Sequence, residues 1–204
     1  MKILKHTLSI SLILLFVSFA YGQIREYKIH DRGMLHNTVF NTGEIGRAWQ
    51  TGEAGNFTSV PVFEWPPYSK TIIEGIEYDG QHNILGAGFY IGANLASAPG
   101  EIDRLFALCG GVGAGSPEVS IGRWSFPLYM EEIENFPLLE DGTLNLDYNP
   151  NEAEEIIRTS WATSTGITVT RTSRAWSYPD YDDMIIYEYE LEYTGDLDGN
   201  PATI

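Results

Sequence analysis

Met184 to Tyr193 reads with a period of two, most clearly from Tyr187 onward. Ile185, Tyr187, Tyr189, Leu191 and Tyr193 fall on one side, and Glu188, Glu190 and Glu192 on the other. A period of two sustained this long predicts a half-buried strand with one wet face, because a helix would scatter the glutamates around its axis. The segment from Gly166 to Trp176 is its predicted partner. There Ile167, Val169 and Ala175 share one face, and Thr168, Thr170, Thr172 and Arg174 share the other. Ser177 to Asp183, rich in Asp with one Pro, is the connecting loop. An antiparallel hairpin centred near Asp180 sets Thr168, Thr170 and Thr172 opposite Glu192, Glu190 and Glu188, so that polar meets polar and apolar meets apolar. Arg171 is discordant. It falls on the apolar face and is expected to stack on Tyr189 and reach out to the edge.

Earlier strands are expected at His82 to Leu95, where Leu85, Ala87, Phe89, Ile91 and Ala93 alternate with Gly86, Gly88, Tyr90 and Gly92. The alternate glycines predict close packing by another backbone or a broad aromatic ring. Arg104 to Cys109 reads as a short apolar strand, and Val119 to Met130 as another, interrupted by Pro127. Thr71 to Tyr78 and Glu26 to His30 carry weaker patterns. One helix is expected over about residues 150–161, since Asn149-Pro150-Asn151-Glu152 supplies a capping residue, a proline and an acid in the order of a helix start. Strands separated by Gly and Pro turns define the expected class: mainly β, an antiparallel β-sandwich-like domain with that single short helix. Thr194 to Pro201 reads as a turn and Ala202-Thr203-Ile204 as the opening of a return strand. The domain, residues 23–204, is therefore expected to be truncated at its C-terminal end.

The first 22 residues read as an address. Lys2 and Lys5 precede an apolar stretch from Leu8 to Phe19, and Ala20-Tyr21-Gly22 offers small residues for cleavage before Gln23. The apolar run is shorter than the roughly 20 residues needed to span a bilayer. This predicts a signal peptide, export, and a secreted or cell-surface location, with no membrane insertion after cleavage.

Charge then narrows the partners. Twelve Lys and Arg stand against 28 Asp and Glu, a formal charge of −16. Binding to a nucleic-acid backbone needs cations that displace counterions from phosphates, so nucleic acid is excluded as a partner. Anionic membrane surfaces are disfavoured on the same ground. A single cysteine, Cys109, excludes a disulfide-stapled module. It reads as a small buried hydrophobe rather than a nucleophile paired with His82. His30, His36 and His82 match no zinc spacing, and hydrogen-bonding or surface roles are expected for them.

Two features carry candidate chemistry. Asp196, Asp198 and Asn200 alternate as oxygen ligands around Gly199, a pattern able to wrap Ca2+, although Asp-Gly is also the commonest hairpin turn. Asp180, Asp182 and Asp183 lie at the other end of the same hairpin, too far along the strand to share an ion with Asp196. The five tryptophans include Trp65, in the rigid segment Glu64-Trp65-Pro66-Pro67, and Trp176 beside the Asp-rich loop. These two are candidates for displaying aromatic rings to a ligand, against packing in the core or rim. The acidic runs Glu131-Glu132, Glu134, Glu152 and Glu154-Glu155 read as solvated faces. A glycosidase needs a carboxylate pair across a cleft, and no spacing here places one. Catalytic residues are not identifiable.

Three stretches carry a resemblance: Phe63-Glu64-Trp65-Pro66-Pro67, the strand Gly86-Ala87-Gly88-Phe89-Tyr90-Ile91-Gly92-Ala93, and Tyr187 to Asn200 ending in Thr-Gly-Asp-Leu-Asp-Gly-Asn. Together they resemble the N-terminal region of large exported bacterial proteins that often carry a C-terminal type IX secretion sorting domain. The resemblance implies a secreted or surface-attached protein with downstream domains of the same chain as partners, and it carries no catalytic residue. The expected function is an exported structural, adhesive or binding module of a larger cell-surface or secreted protein. The alternative is a carbohydrate-binding or glycoside-hydrolysing extracellular protein, whose partner would be an extracellular polysaccharide.

Overall fold

The structure is a computed structural model. It describes residues 26–46, 61–67, 71–73, 76–78, 83–84, 86–94, 104–109 and 125–200. The expected signal peptide, residues 1–22, lies outside the described residues. The fold is mainly β, as the alternation predicts. Twelve strands are described: β1 (Tyr27–His30), β2 (Asn37–Phe40), β3 (Ile45–Gly46), β4 (Thr71–Ile73), β5 (Ile76–Tyr78), β6 (Gly86–Ala87), β7 (Phe89–Asn94), β8 (Arg104–Cys109), β9 (Ser125–Glu134), β10 (Glu155–Thr163), β11 (Ile167–Ala175) and β12 (Ile185–Tyr193). They form one four-stranded antiparallel sheet ordered β1-β2-β3-β6 and a second ordered β12-β11-β10-β9, with two-stranded pairs β4-β5 and β7-β8.

The second sheet keeps closest to the alternation of its sequence. The β11–β12 register sets Thr168, Thr170 and Thr172 opposite Glu192, Glu190 and Glu188, as the alternation requires. Along β11 every second residue from Val169 to Ala175 is buried, and the threonines between them are half-exposed. The hairpin between β10 and β11 closes through Gly166, whose φ of 78° is left-handed and whose amide donates to the Thr163 carbonyl. A side chain there would be strained, which is why the turn ends on glycine.

The expected helix over 150–161 is not formed, and no helix is found among the described residues. Asn149 to Glu152 is instead a turn. The Asn149 side-chain oxygen accepts the Asn151 amide at 3.1 Å, and its carbonyl accepts the Glu152 amide at 3.1 Å. Asn and Asp side chains favour such turns for the same reason that they favour helix starts, so the local signal is shared. The turn leads into strand β10, rich in Ile, Thr and Trp. This strand lies between β9 and β11 and is buried on both faces except at Arg158. Burial on both faces erases the polar-apolar alternation that would have marked it as a strand.

Other expectations shift in detail. Arg104 to Cys109 is a strand as predicted. The stretch from His82 to Leu95 divides at Gly88: β6 joins the first sheet and β7 pairs with β8. Ile91 is buried, and of the face expected to be closely covered Gly86 is half-buried beside Gly46, whereas Gly88, Tyr90 and Gly92 are exposed, with Tyr90 at 54%. The strand expected at Val119 to Met130 is described from Ser125 to Glu134. It tolerates Pro127 because it is the terminal strand of its sheet and its pairing with β10 shifts beside that residue. Between β9 and β10 an excursion is stapled by Asn135, whose amide nitrogen donates to the Asn149 and Ala153 carbonyls at 2.7 and 3.1 Å.

The inner face of the second sheet is covered at two levels. At one, Ile91 of β7 packs on Trp161 and Val169, with Ile167 and Tyr189 alongside. At the other, β1, β2 and the β2–β3 turn lie over Arg171, Ser173 and Glu155. That second level is polar.

Candidate functional site

Among the described residues, a polar seam between the sheets brings several ionisable and hydrogen-bonding side chains together. From β1, His30 Nδ1 lies 2.7 Å from Glu155 Oε2 on β10, and Nε2 lies 2.7 Å from Ser173 Oγ on β11. Register explains the convergence, since Glu155 pairs with Ala175 and Ile157 with Ser173, which puts Glu155 and Ser173 on one face under β1. The order serine, histidine, carboxylate is that of a nucleophilic relay. Here, however, His30 and Ser173 are 0% exposed and Glu155 is 3% exposed. Ser173 Oγ is also within 3.2 Å of the Ile157 carbonyl. A hydroxyl sealed in this way cannot reach an acyl group, so the trio joins two sheets.

Arg171 lies in the same seam. It does not reach the edge as expected: it pairs with Tyr189 across the strands but is 0% exposed. Its guanidinium donates to the carbonyls of Phe40 at 2.7 Å, Gly43 at 3.2 Å and Glu44 at 3.4 Å, and lies 5.4 Å from the Trp161 ring. The β2–β3 turn, with Gly43 at φ 93°, presents these carbonyls as a cup. A buried cation needs such partners, and this set replaces the water that the side chain would meet at the edge. Asn37 completes the seam. Its nitrogen donates to the Tyr187 hydroxyl at 2.7 Å, and its oxygen accepts the Phe63 amide at 3.1 Å. Burial pushes the Tyr187 phenol well above the usual tyrosine value, against the lowering effect of the Asn37 bond.

The residues singled out by sequence lie elsewhere. Asp196 is buried, and its Oδ1 accepts the amides of Asp198 at 3.1 Å and Gly199 at 2.6 Å. Asp198 Oδ1 accepts the Asn200 amide at 2.9 Å. These carboxylates organise their own turn. No group of three or more His, Cys, Asp or Glu able to hold a metal occurs among the described residues. In the loop between β11 and β12, the Asp182 carbonyl accepts the amides of Met34 and Leu35, which ties that loop to the first sheet.

Trp65 is 43% exposed on a segment held to β2 by paired 2.9 Å backbone bonds between His36 and Glu64. Trp176 is half-buried, its ring 6.0 Å from Tyr181 and tilted by 48°. Trp161 is fully buried in the core. Trp49, Trp124 and His82 lie outside the described residues. Cys109 ends β8.

The outer face of the second sheet is polar and acidic. Arg158 pairs with Glu131 at 3.3 Å, and Arg174 with Glu188 at 3.0 Å and Glu152 at 3.4 Å. The two acidic runs are therefore partly paired rather than simply solvated, and Glu132 meets Lys28 of β1 at 2.9 Å. Tyr129 sits among these groups, its phenol raised first by partial burial and then by Glu131.

Sequence reasoning missed the His30–Glu155 pair and the burial of Arg171. The pair joins residues 125 apart, and no local pattern marks it. The one available signal was Arg171 itself, a cation on an otherwise apolar face. No protein family, curated protein or solved structure matches the chain.

Proposed function

We propose that the chain is an exported, non-catalytic structural, adhesive or binding module of a larger cell-surface or secreted protein. One observation carries this reading. The side chains best equipped for chemistry, His30, Glu155, Ser173 and Arg171, are sealed between the sheets and bonded to each other or to backbone. Among the described residues, what faces water is a broad sheet surface of Thr and Glu together with loop aromatics, which suits contact rather than turnover. The apolar stretch ahead of Gln23 supports export, and the resemblance to exported bacterial proteins supports attachment to downstream domains. The carbohydrate-binding alternative draws on the half-exposed Trp65 and on Tyr178 and Tyr181, 51% and 48% exposed beside Trp176.

The test expresses the full chain in a bacterial host, fractionates the culture, sequences the N-terminus of the exported form, and assays that form for reducing-sugar release from a polysaccharide panel. Export with Gln23 first and no sugar release is expected. Cytoplasmic retention of the uncleaved chain would refute the export reading, and sugar release would refute the non-catalytic one.

A further inference from the structure

The second sheet ends differently at its two edges. At one edge, β9 carries Pro127, and its pairing with β10 shifts between Ser160 and Trp161. Proline and irregular pairing are the usual means of blunting an edge against further strands. At the other edge, β12 runs nine residues in unbroken register with β11, without Pro, Gly or Lys, and meets no other strand among the described residues. Its burial pattern also changes. Alternation holds from Ile185 to Tyr189, then Glu190, Leu191, Glu192 and Tyr193 are all exposed. Leu191 is 56% and Tyr193 80% exposed although both lie on the apolar side of the strand. Over residues 194–200 the chain leaving β12 turns away from this edge, and the return strand expected at Ala202-Thr203-Ile204 lies outside the described residues. The amides of Thr194 and Gly195 both donate to the Gly166 carbonyl at 3.0 Å, drawing the chain over the β10–β11 turn.

We infer that the edge of β12 that no described strand pairs, over Glu190–Tyr193, accepts an extended polypeptide segment by strand addition, and that the segment alternates Lys or Arg with apolar residues. This rests on the binding-module reading above and names its partner's chemistry. Directly opposed residues in a sheet point to the same side. A strand in register therefore sets one residue set against Glu188, Glu190 and Glu192, and the other against Leu191 and Tyr193. Cations suit the first set and apolar side chains the second. On its other side β12 already sets polar against polar, since β11 places Thr168, Thr170 and Thr172 opposite the three acids and leaves their charge unneutralised by that strand's threonines. A second copy of this chain fits badly. Antiparallel pairing centred on Glu190 opposes Glu188 to Glu192 and Glu190 to itself, and like charges directly opposite are destabilising.

The probe is an acetylated and amidated seven-residue peptide of alternating lysine and valine, titrated into the full chain. The controls are the same peptide with glutamate for lysine, and the lysine peptide N-methylated at alternate residues so that it cannot pair along its backbone. Saturable binding of the lysine peptide is expected, weakening with salt, with slowed amide exchange confined to β12. The glutamate and N-methylated peptides should not bind. The double variant Glu190→Lys with Glu192→Lys, both exposed and remote from the seam, should bind the lysine peptide roughly tenfold more weakly and accept the glutamate peptide. Equal binding of the N-methylated peptide, or unchanged exchange in β12, overturns strand addition. Failure here with export intact and no sugar release sinks this inference alone, because those readouts do not involve β12.

Discussion

Arg171 shows how far a single residue can be read. Its position on the inner face follows from the alternation, and its pairing with Tyr189 follows from the register. Its destination does not, because three of its acceptors are carbonyls in a turn more than 120 residues earlier in the chain. A lone cation on an apolar face can reach water or find buried acceptors, and only the tertiary structure decides between them. Tyr187 offers a cleaner test of the same seam. Its folded pKa is raised by burial above the unfolded value near 10. Below pH 10 both states keep the proton, so the stabilising difference is fully present. Above it the unfolded chain releases a proton that the folded chain retains, and stability falls by up to about 1.4 kcal/mol per pH unit. Urea titrations between pH 9 and 11.5 should show this decline in the native chain. Tyr187→Phe should flatten it, while lowering stability at pH 7 by about 1–3 kcal/mol because the Asn37 amide loses its acceptor.

At the scale of elements, a pattern is legible when a strand has one wet face and opaque when it has none. The β11–β12 register is predictable residue by residue because Thr and Glu mark the outside. β10 reads as a helix because burial on both faces leaves no alternation, and because the Asn-Pro-Asn-Glu turn shares its chemistry with a helix cap. Turns carry their own signature, and two glycines separate its parts. Gly142 and Gly166 both have left-handed φ, 81° and 78°. A Cβ on Gly142 meets nothing within 4 Å, whereas one on Gly166 lies 3.1 Å from the Tyr193 ring and 3.5 Å from Leu197 Cδ2. Gly142→Ala should therefore cost only the backbone strain, about 1–2 kcal/mol. Gly166→Ala should cost more and loosen the start of the 194–200 turn. Comparing the two urea midpoints checks the order, and Gly142 as the costlier site would refute it.

For the whole molecule, the outline is legible in the sequence: a mainly β chain whose faces follow alternation. The joint between its sheets is not, because the sequence suggests apolar closure while the structure closes on His30, Glu155, Ser173, Arg171 and Asn37. Such a seam has a distinctive energetic signature. Removing one member of a buried hydrogen-bonded set leaves its partners desolvated and costs about 1–3 kcal/mol, whereas replacing the whole set with apolar groups of similar volume is often neutral or stabilising. Glu155→Leu alone should lose about 1–3 kcal/mol, because it leaves His30 buried without its hydrogen-bond partner at Nδ1. The triple variant His30→Leu, Glu155→Leu, Ser173→Ala should recover most of the loss, with an unchanged dependence of stability on urea, since the same surface is exposed on unfolding. If the triple variant is no more stable than Glu155→Leu, the trio contributes more than mutual satisfaction, and packing of these shapes rather than their polarity holds the sheets in place. Because β1 meets the second sheet at this trio, the same variants show whether the two sheets unfold as one: a single transition in the native chain and two in Glu155→Leu would show that the Arg171, Asn37 and Lys28 bonds do not couple the sheets without the trio.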